Sequence, residues 1–204
     1  MNERMERWLI STEQLAAQLG DPNLRMFDGS TRLAPERKAT FRVEPGRAEW
    51  EAAHIPGAGF IDIQGDLSRD MPNLRFTLPD VAEFAAAAGR LGIGDGTRVV
   101  LYSRFHPMWA TRVWWMLRAF GFDNAALLNG GFQKWTAEGR AVSTTPAATP
   151  EPGHFTAKPR RGLFTGKDEV RDAIGASATC TINALAPDLH SGENARYGRP
   201  GRVP

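Results

Sequence analysis

The 204-residue sequence predicts an α/β fold in which a mostly parallel sheet is covered by helices on both faces. Three observations predict it. Short runs such as NLRMF, FIDI, RVVLY and AALL are predominantly apolar without strict alternation, as strands buried on both faces are. They alternate with amphipathic stretches of roughly 8 to 13 residues, the spacing of helical crossovers. Helix-start and helix-stop residues also sit where the alternation requires them.

In chain order, Ser11 caps a helix over TEQLAAQLG, with Gln14 as capping-box partner and Gly20 as its stop. NLRMFDG follows as a buried strand ending at Asp28, and FIDI is a second strand after the turn HIPGAG. Pro79 and Asp80 open the helix DVAEFAAAAGRLG, and IGDGT turns the chain into the strand RVVLY. A helix runs from about Met108 to Phe120, with Pro107 suited to its first turn and Gly121 closing it. NAALLNGG is a strand and turn, and FQKWTAEG a short helix. Residues 141–163 are rich in proline and read as a connector. Beyond them, TGKDEVRDAIG reads as a helix capped near Thr165 and ATCTINAL as a strand that buries Cys180.

The bulk properties exclude several functions. The formal charge of +2 is dispersed, and KPRRG is too short a basic run for nucleic acid. No apolar run approaches the ~18 residues of a membrane span, and the N-terminus lacks the apolar core of a signal peptide. A lone cysteine excludes a disulfide framework and a cysteine-rich metal site, and the four histidines have no ligand spacing. The reading is a cytoplasmic protein with no metal and no cofactor.

In open parallel sheets, chemistry gathers at the carboxyl ends of the strands. That edge holds Asp28, read as a backbone-satisfying residue, and the turn Ser103–Arg104–Phe105–His106–Pro107. His54 reads as a turn-stabilising hydrogen bonder and His106 as a surface or cleft residue without a nucleophile to activate. Trp114 and Trp115, with Arg112, read as core and interface packing. The order of capped helix, polar strand end and Gly/Arg-containing turn recurs from Thr165 to RVP, which suggests an internal duplication. The second copy halts where the first is still building its sheet, so the chain is expected to be part of a longer two-domain protein.

WEAAHIPGAGFIDI, the LP before the alanine-rich helix, VVLY, ATRVWWMLRAFG and LLNGGFQKWTAEG, together with YGRPGRVP, resemble the rhodanese superfamily. The match is to its tandem-domain thiosulfate and 3-mercaptopyruvate sulfurtransferases. The resemblance implies a rhodanese-like domain over residues 1–140 with a five-stranded parallel sheet, the connector 141–163, and the truncated start of a second rhodanese-like domain over 164–204. It also implies that a cysteine after a central strand of the second domain takes sulfur as a persulfide and passes it to a thiophilic acceptor. Here Ser103 holds the corresponding place in the first domain, and a hydroxyl forms no persulfide. The expected catalytic set is therefore empty, with Arg104, Met108 and Trp109 as cleft-lining residues for substrate. The implied partners are the rest of the second domain and a small anionic sulfur donor. Leu185 stands where the second domains of relatives often carry an arginine. The alternative is a non-enzymatic rhodanese-like binding or regulatory module; the related phosphatases need a cysteine in the loop and are set aside.

Overall fold

A computed structural model describes residues 8–34, 36, 41–72, 74–147 and 150–194. The described chain forms two compact units, one from residues up to 32 and 43–160, the other from 33–42 and the residues from 161 onward. The motif YGRPGRVP lies wholly outside the described residues.

The elements are β1 (Leu9–Ile10), α1 (Thr12–Ala16), β2 (Leu24–Asp28), β3 (Thr31–Ala34), β4 (Arg42–Pro45), α2 (Arg47–Ala52), β5 (Gly59–Phe60) and α3 (Ile63–Asp66). They continue with β6 (Arg69–Met71), β7 (Leu74–Thr77), α4 (Val81–Arg90), β8 (Arg98–Tyr102), α5 (Met108–Ala119), β9 (Ala125–Leu128) and α6 (Gly131–Ala137). The second unit holds α7 (Lys167–Asp172) and α8 (Pro187–Ser191).

The sheet of the first unit is five-stranded and parallel, in the order β1-β9-β8-β2-β5. Asp28 pairs in register with Tyr102, so β2 and β8 end side by side. Alternate residues face opposite ways. Met26, Val100, Tyr102 and Leu128 join Leu15, Phe132 and Trp135 in one buried cluster, which α1 and α6 cover. On the other face Phe84 of α4 stacks on Phe120 at the end of α5, their centroids 4.1 Å apart.

Capping follows the sequence closely. Ser11 and Gln14 close a capping box on α1, and Asp80 and Glu83 do the same on α4. Gly121, at φ +95°, lets the chain turn sharply after α5. Helix α1 ends at Ala16, a turn earlier than the sequence suggests, because Gln18 and Asp21 close tighter turns before Leu24. FIDI is a strand only at Phe60; Asp62 leaves the ladder to cap α3, its side chain accepting from the Gln64 and Gly65 amides. The hairpin of β6 and β7 is absent from the sequence reading, although LRFT of β7 alternates apolar and polar residues over its four positions. Within it Phe76 is left-handed at φ 56°, held by Gln64 Oε1 on its N–H and by Arg112 Nη2 on its carbonyl.

Part of the proline-rich stretch is stitched along the first unit. Ser143 exchanges two backbone hydrogen bonds with His54, Gly153 donates to Gly89 O, and Lys158 donates to Phe120 O. Phe155 is buried there, and Arg160 pairs with both carboxylate oxygens of Asp123.

In the second unit, α7 starts at Lys167 with Gly166 as its cap, not Thr165, because the Glu169 carboxylate reaches back to the Gly166 amide. ATCTINAL is not a strand: it has no ladder partner among the described residues, and an unpaired strand leaves its own amides unsatisfied. Cys180 is accordingly exposed rather than buried, and Ile182 is 83% exposed.

Candidate functional site

The carboxyl ends of β2 and β8 carry a buried polar network. Asp28 is fully buried and Arg104 nearly so, its side chain 10% exposed. Arg104 Nε donates to Asp28 Oδ2 at 3.0 Å, and Nη2 lies 2.9 Å from the same oxygen. Nη2 also donates to the Ala53 carbonyl at 2.6 Å, and the guanidinium lies 4.0 Å above the Phe132 ring. The other carboxylate oxygen, Asp28 Oδ1, accepts from the amide and the hydroxyl of Ser30. Burial raises the Asp28 carboxyl above its ordinary range; Ser30 and then Arg104 pull it back only in part. Burial likewise raises the Tyr102 phenol, with the Asp28 charge adding to the effect.

This network decides what the loop after β8 can do. A nest that holds an anion needs backbone amides without internal partners. Arg104 N donates to Ser30 Oγ at 2.9 Å, and Phe105 N to Ser103 Oγ at 3.4 Å. Met108 N donates to His106 Nδ1, and Trp109 N to the His106 carbonyl. Four amides of the loop and the first turn of α5 are thus occupied from within. Ser103 Oγ itself accepts from Phe105 N, and no base lies within hydrogen-bond distance of it among the described residues. Gln133 Nε2 ties the Arg104 carbonyl to α6.

The three residues expected to line a cleft part ways here. Arg104 is bound into the Asp28 network, Trp109 is buried against the Phe76 ring at 5.2 Å, and Met108 is exposed. Asp28 satisfies the Ser30 amide as expected, and its ion pair with Arg104 comes in addition. His54 is buried as a turn stabiliser, its ring nitrogens 2.7 Å from Trp50 O and 3.0 Å from Thr145 O. His106 is exposed. Trp114 is half-buried, donating to Ala125 O, whereas Trp115 is 36% exposed and is no core residue; α5 turns it outward from the stripe of Val113, Met116 and Leu117.

Ser30, Ala53, Phe132 and Gln133 complete the network, and the sequence reading does not include them. The Asp-Gly-Ser order of FDGS carries a signal for Ser30, since an aspartate side chain readily accepts from the amide two residues on. Nothing local announces that Arg104 spans 76 positions to Asp28.

A cavity of about 420 Å³ opens beside the network at the ends of β8 and β9, lined in part by Leu101, Ser103, His106, Ala110, Leu127 and Asn129. No cluster of histidine, cysteine, aspartate or glutamate suited to a metal occurs among the described residues. No helix among them is long and apolar enough to cross a membrane.

The family model of the rhodanese-like domain matches residues 11–138. The thiosulfate sulfurtransferase of Cricetulus griseus is 33% identical over 198 residues, covering 94% of this chain and 64% of its own length. A probable 3-mercaptopyruvate sulfurtransferase of Pseudomonas aeruginosa is 33% identical over 189 residues, covering 91% and 64%. The chain therefore spans less than two thirds of the length of these relatives. Among solved structures, the 3-mercaptopyruvate sulfotransferase of Escherichia coli superposes with a TM-score of 0.72 at 27% identity, over 83% of this chain and 62% of that one. The Leishmania major 3-mercaptopyruvate sulfurtransferase shares the fold, with a TM-score of 0.74 at 23% identity over 94% and 50%.

Proposed function

The chain belongs to the rhodanese family, and from that premise we propose that its 11–138 domain is the non-nucleophilic half of a thiosulfate or 3-mercaptopyruvate sulfurtransferase. In the proposed reaction a cysteine thiolate attacks the sulfane sulfur of the donor. With thiosulfate, the sulfur–sulfur bond breaks and sulfite leaves with its electron pair. The persulfide then yields its outer sulfur to cyanide or a thiol, which regenerates the thiolate. That cysteine belongs to a second rhodanese domain acting as partner, and the 204 residues alone transfer no sulfur. A small anionic donor and a reducing, cytoplasm-like compartment complete the reading, the latter supported by a composition with one cysteine.

The observation that carries the proposal is the loop after β8. Ser103 stands at the strand end, and the neighbouring amides that would hold a thiolate or persulfide are already engaged by Ser30, Ser103 and His106. A low-pKa sulfur needs an electropositive setting with donors to spare. Arg104 supplies no free positive charge, because Asp28 neutralises it at 2.9 Å.

The test is sulfur transfer from thiosulfate and from 3-mercaptopyruvate to cyanide, read as thiocyanate, with the 204-residue chain and its Cys180→Ser variant. Neither is expected to turn over. Turnover lost in Cys180→Ser would make the exposed Cys180 the nucleophile; turnover retained would remove cysteine persulfide chemistry altogether. Either result overturns the proposal.

A further inference from the structure

The cavity beside Ser103 has a property that sulfur transfer does not use. Its described lining contains no lysine, arginine, aspartate or glutamate. Leu9, Leu101, Leu127, Leu128 and Ala110 supply an apolar wall. Most polar groups on the lining are committed: Thr111 Oγ1 donates to Met108 O, Gln133 Nε2 to Arg104 O, and the Tyr102 hydroxyl accepts from Ile55 N. Asn129 differs. Its backbone is fixed by a bond to Ile10 O, yet its side-chain amide makes no hydrogen bond among the described residues.

We propose that this cavity binds an uncharged molecule with an apolar body and one amide-like donor–acceptor edge. Moving an ion from water into an apolar pocket without a counter-charge is costly, so the lining selects against both anions and cations. The leucines and Ala110 receive the apolar body. The Asn129 carboxamide, which offers both a donor and an acceptor, pairs with the polar edge. A volume of about 420 Å³ lies in the range of small-molecule pockets. The site goes beyond the proposed sulfur chemistry, whose donors are anions, and does not depend on any turnover.

Three probes of matched shape and different charge test it: benzamide, benzoate and benzamidine. Each is titrated into the 204-residue chain at pH 7.5 and followed by leucine methyl shifts and calorimetry. Benzamide is expected to bind saturably and at least tenfold tighter than either ion. Ala110→Leu, which fills the cavity, and Asn129→Leu, which removes the exposed amide without touching the core, are each expected to weaken benzamide at least fivefold. Circular dichroism confirms that each variant is folded, and Asn129→Leu keeps the test valid should Ala110→Leu not fold. Benzoate or benzamidine binding as well as benzamide overturns the proposal. So does the absence of benzamide saturation on the folded chain, or binding indifferent to Asn129→Leu.

Discussion

Replacing Arg104 by methionine isolates the ion pair that organises the strand ends. The thioether keeps much of the packing of the stem against Phe132 but removes the guanidinium, which makes two short contacts to Asp28 and one to Ala53 O. With Asp28 at 0% and Arg104 at 10% side-chain exposure, solvent screening gives little relief. Breaking such a pair by removing one partner costs about 3–5 kcal/mol, because the remaining charge is left buried. The loss depends on pH. The folded-state pKa of Asp28 already lies above its ordinary value, so its protonated form favours the fold, and that contribution is lost as pH rises through the folded pKa. Arg104 is one of the groups holding that pKa down; without it the pKa climbs further. The stability of Arg104→Met therefore falls more steeply than wild type above ~pH 4, by up to about 1.4 kcal/mol per pH unit while Asp28 titrates. Urea unfolding followed by tryptophan fluorescence at pH 5.0 and 7.5 measures both numbers. The expected result is a loss near 3–5 kcal/mol at pH 7.5, clearly smaller at pH 5.0, and partly restored in Asp28→Asn/Arg104→Met. A loss that is equal at the two pH values, or below about 1 kcal/mol at pH 7.5 where a buried pair should cost several, would refute the reasoning.

Four further outcomes are expected. The thiol introduced by Ser103→Cys in a Cys180→Ser background should titrate no lower than the ordinary ~8.5, since the loop amides are engaged; the pH profile of iodoacetamide alkylation reads this. Gly131→Ala should cost about 2 kcal/mol more than Gly139→Ala: both positions have positive φ, but a Cβ at Gly131 would sit 2.6 Å from the Ser103 carbonyl, while Gly139 faces open space. Paired thermal melts compare them. His54→Leu should destabilise by about 2–4 kcal/mol, because the Trp50 and Thr145 carbonyls lose a buried partner, and hydrogen exchange at the Ser143 amide should quicken. Glu138, pulled down to about 2 by the Thr12 hydroxyl and then Arg140, contributes stability at pH above its ordinary range that is lost as pH falls toward that value. Thr12→Val should raise its titration midpoint, as read from the carboxyl carbon shift.

What the sequence disclosed and what it withheld divide along the range of the forces involved. Ser11 with Gln14, and Asp80 with Glu83, are three residues apart, so their capping boxes are written into adjacent letters. AALL, and RVVLY after its Arg98, are apolar throughout because both faces of β8 and β9 are covered, and composition alone conveys that. ATCTINAL is mostly apolar too, with threonine at two positions and asparagine at one, and it fails as a strand, since a strand exists only where a neighbour offers its ladder, which is a long-range fact. The hairpin at β6 and β7 was hidden for the converse reason. LRFT alternates over only four residues, and besides its own ladder the hairpin is held by Gln64 on Phe76 N and Arg112 on Phe76 O, contacts 12 and 36 positions away.

The candidate site shows the same division at closer range. Ser103 is legible because the end of an apolar run locates it, and a hydroxyl in place of a thiol is enough to rule out a persulfide. The occupation of the loop's donors is not legible, since it lies in Ser30 Oγ taking the Arg104 amide and in Arg104 pairing with Asp28. A loop that kept its serine but lacked these contacts would still offer donors to an anion. Here the same register that sets Asp28 beside Tyr102 brings the carboxylate under the loop and fills those donors from within. The pairing of two parallel strands thus fixes the chemistry of the edge as firmly as the residue at its tip does.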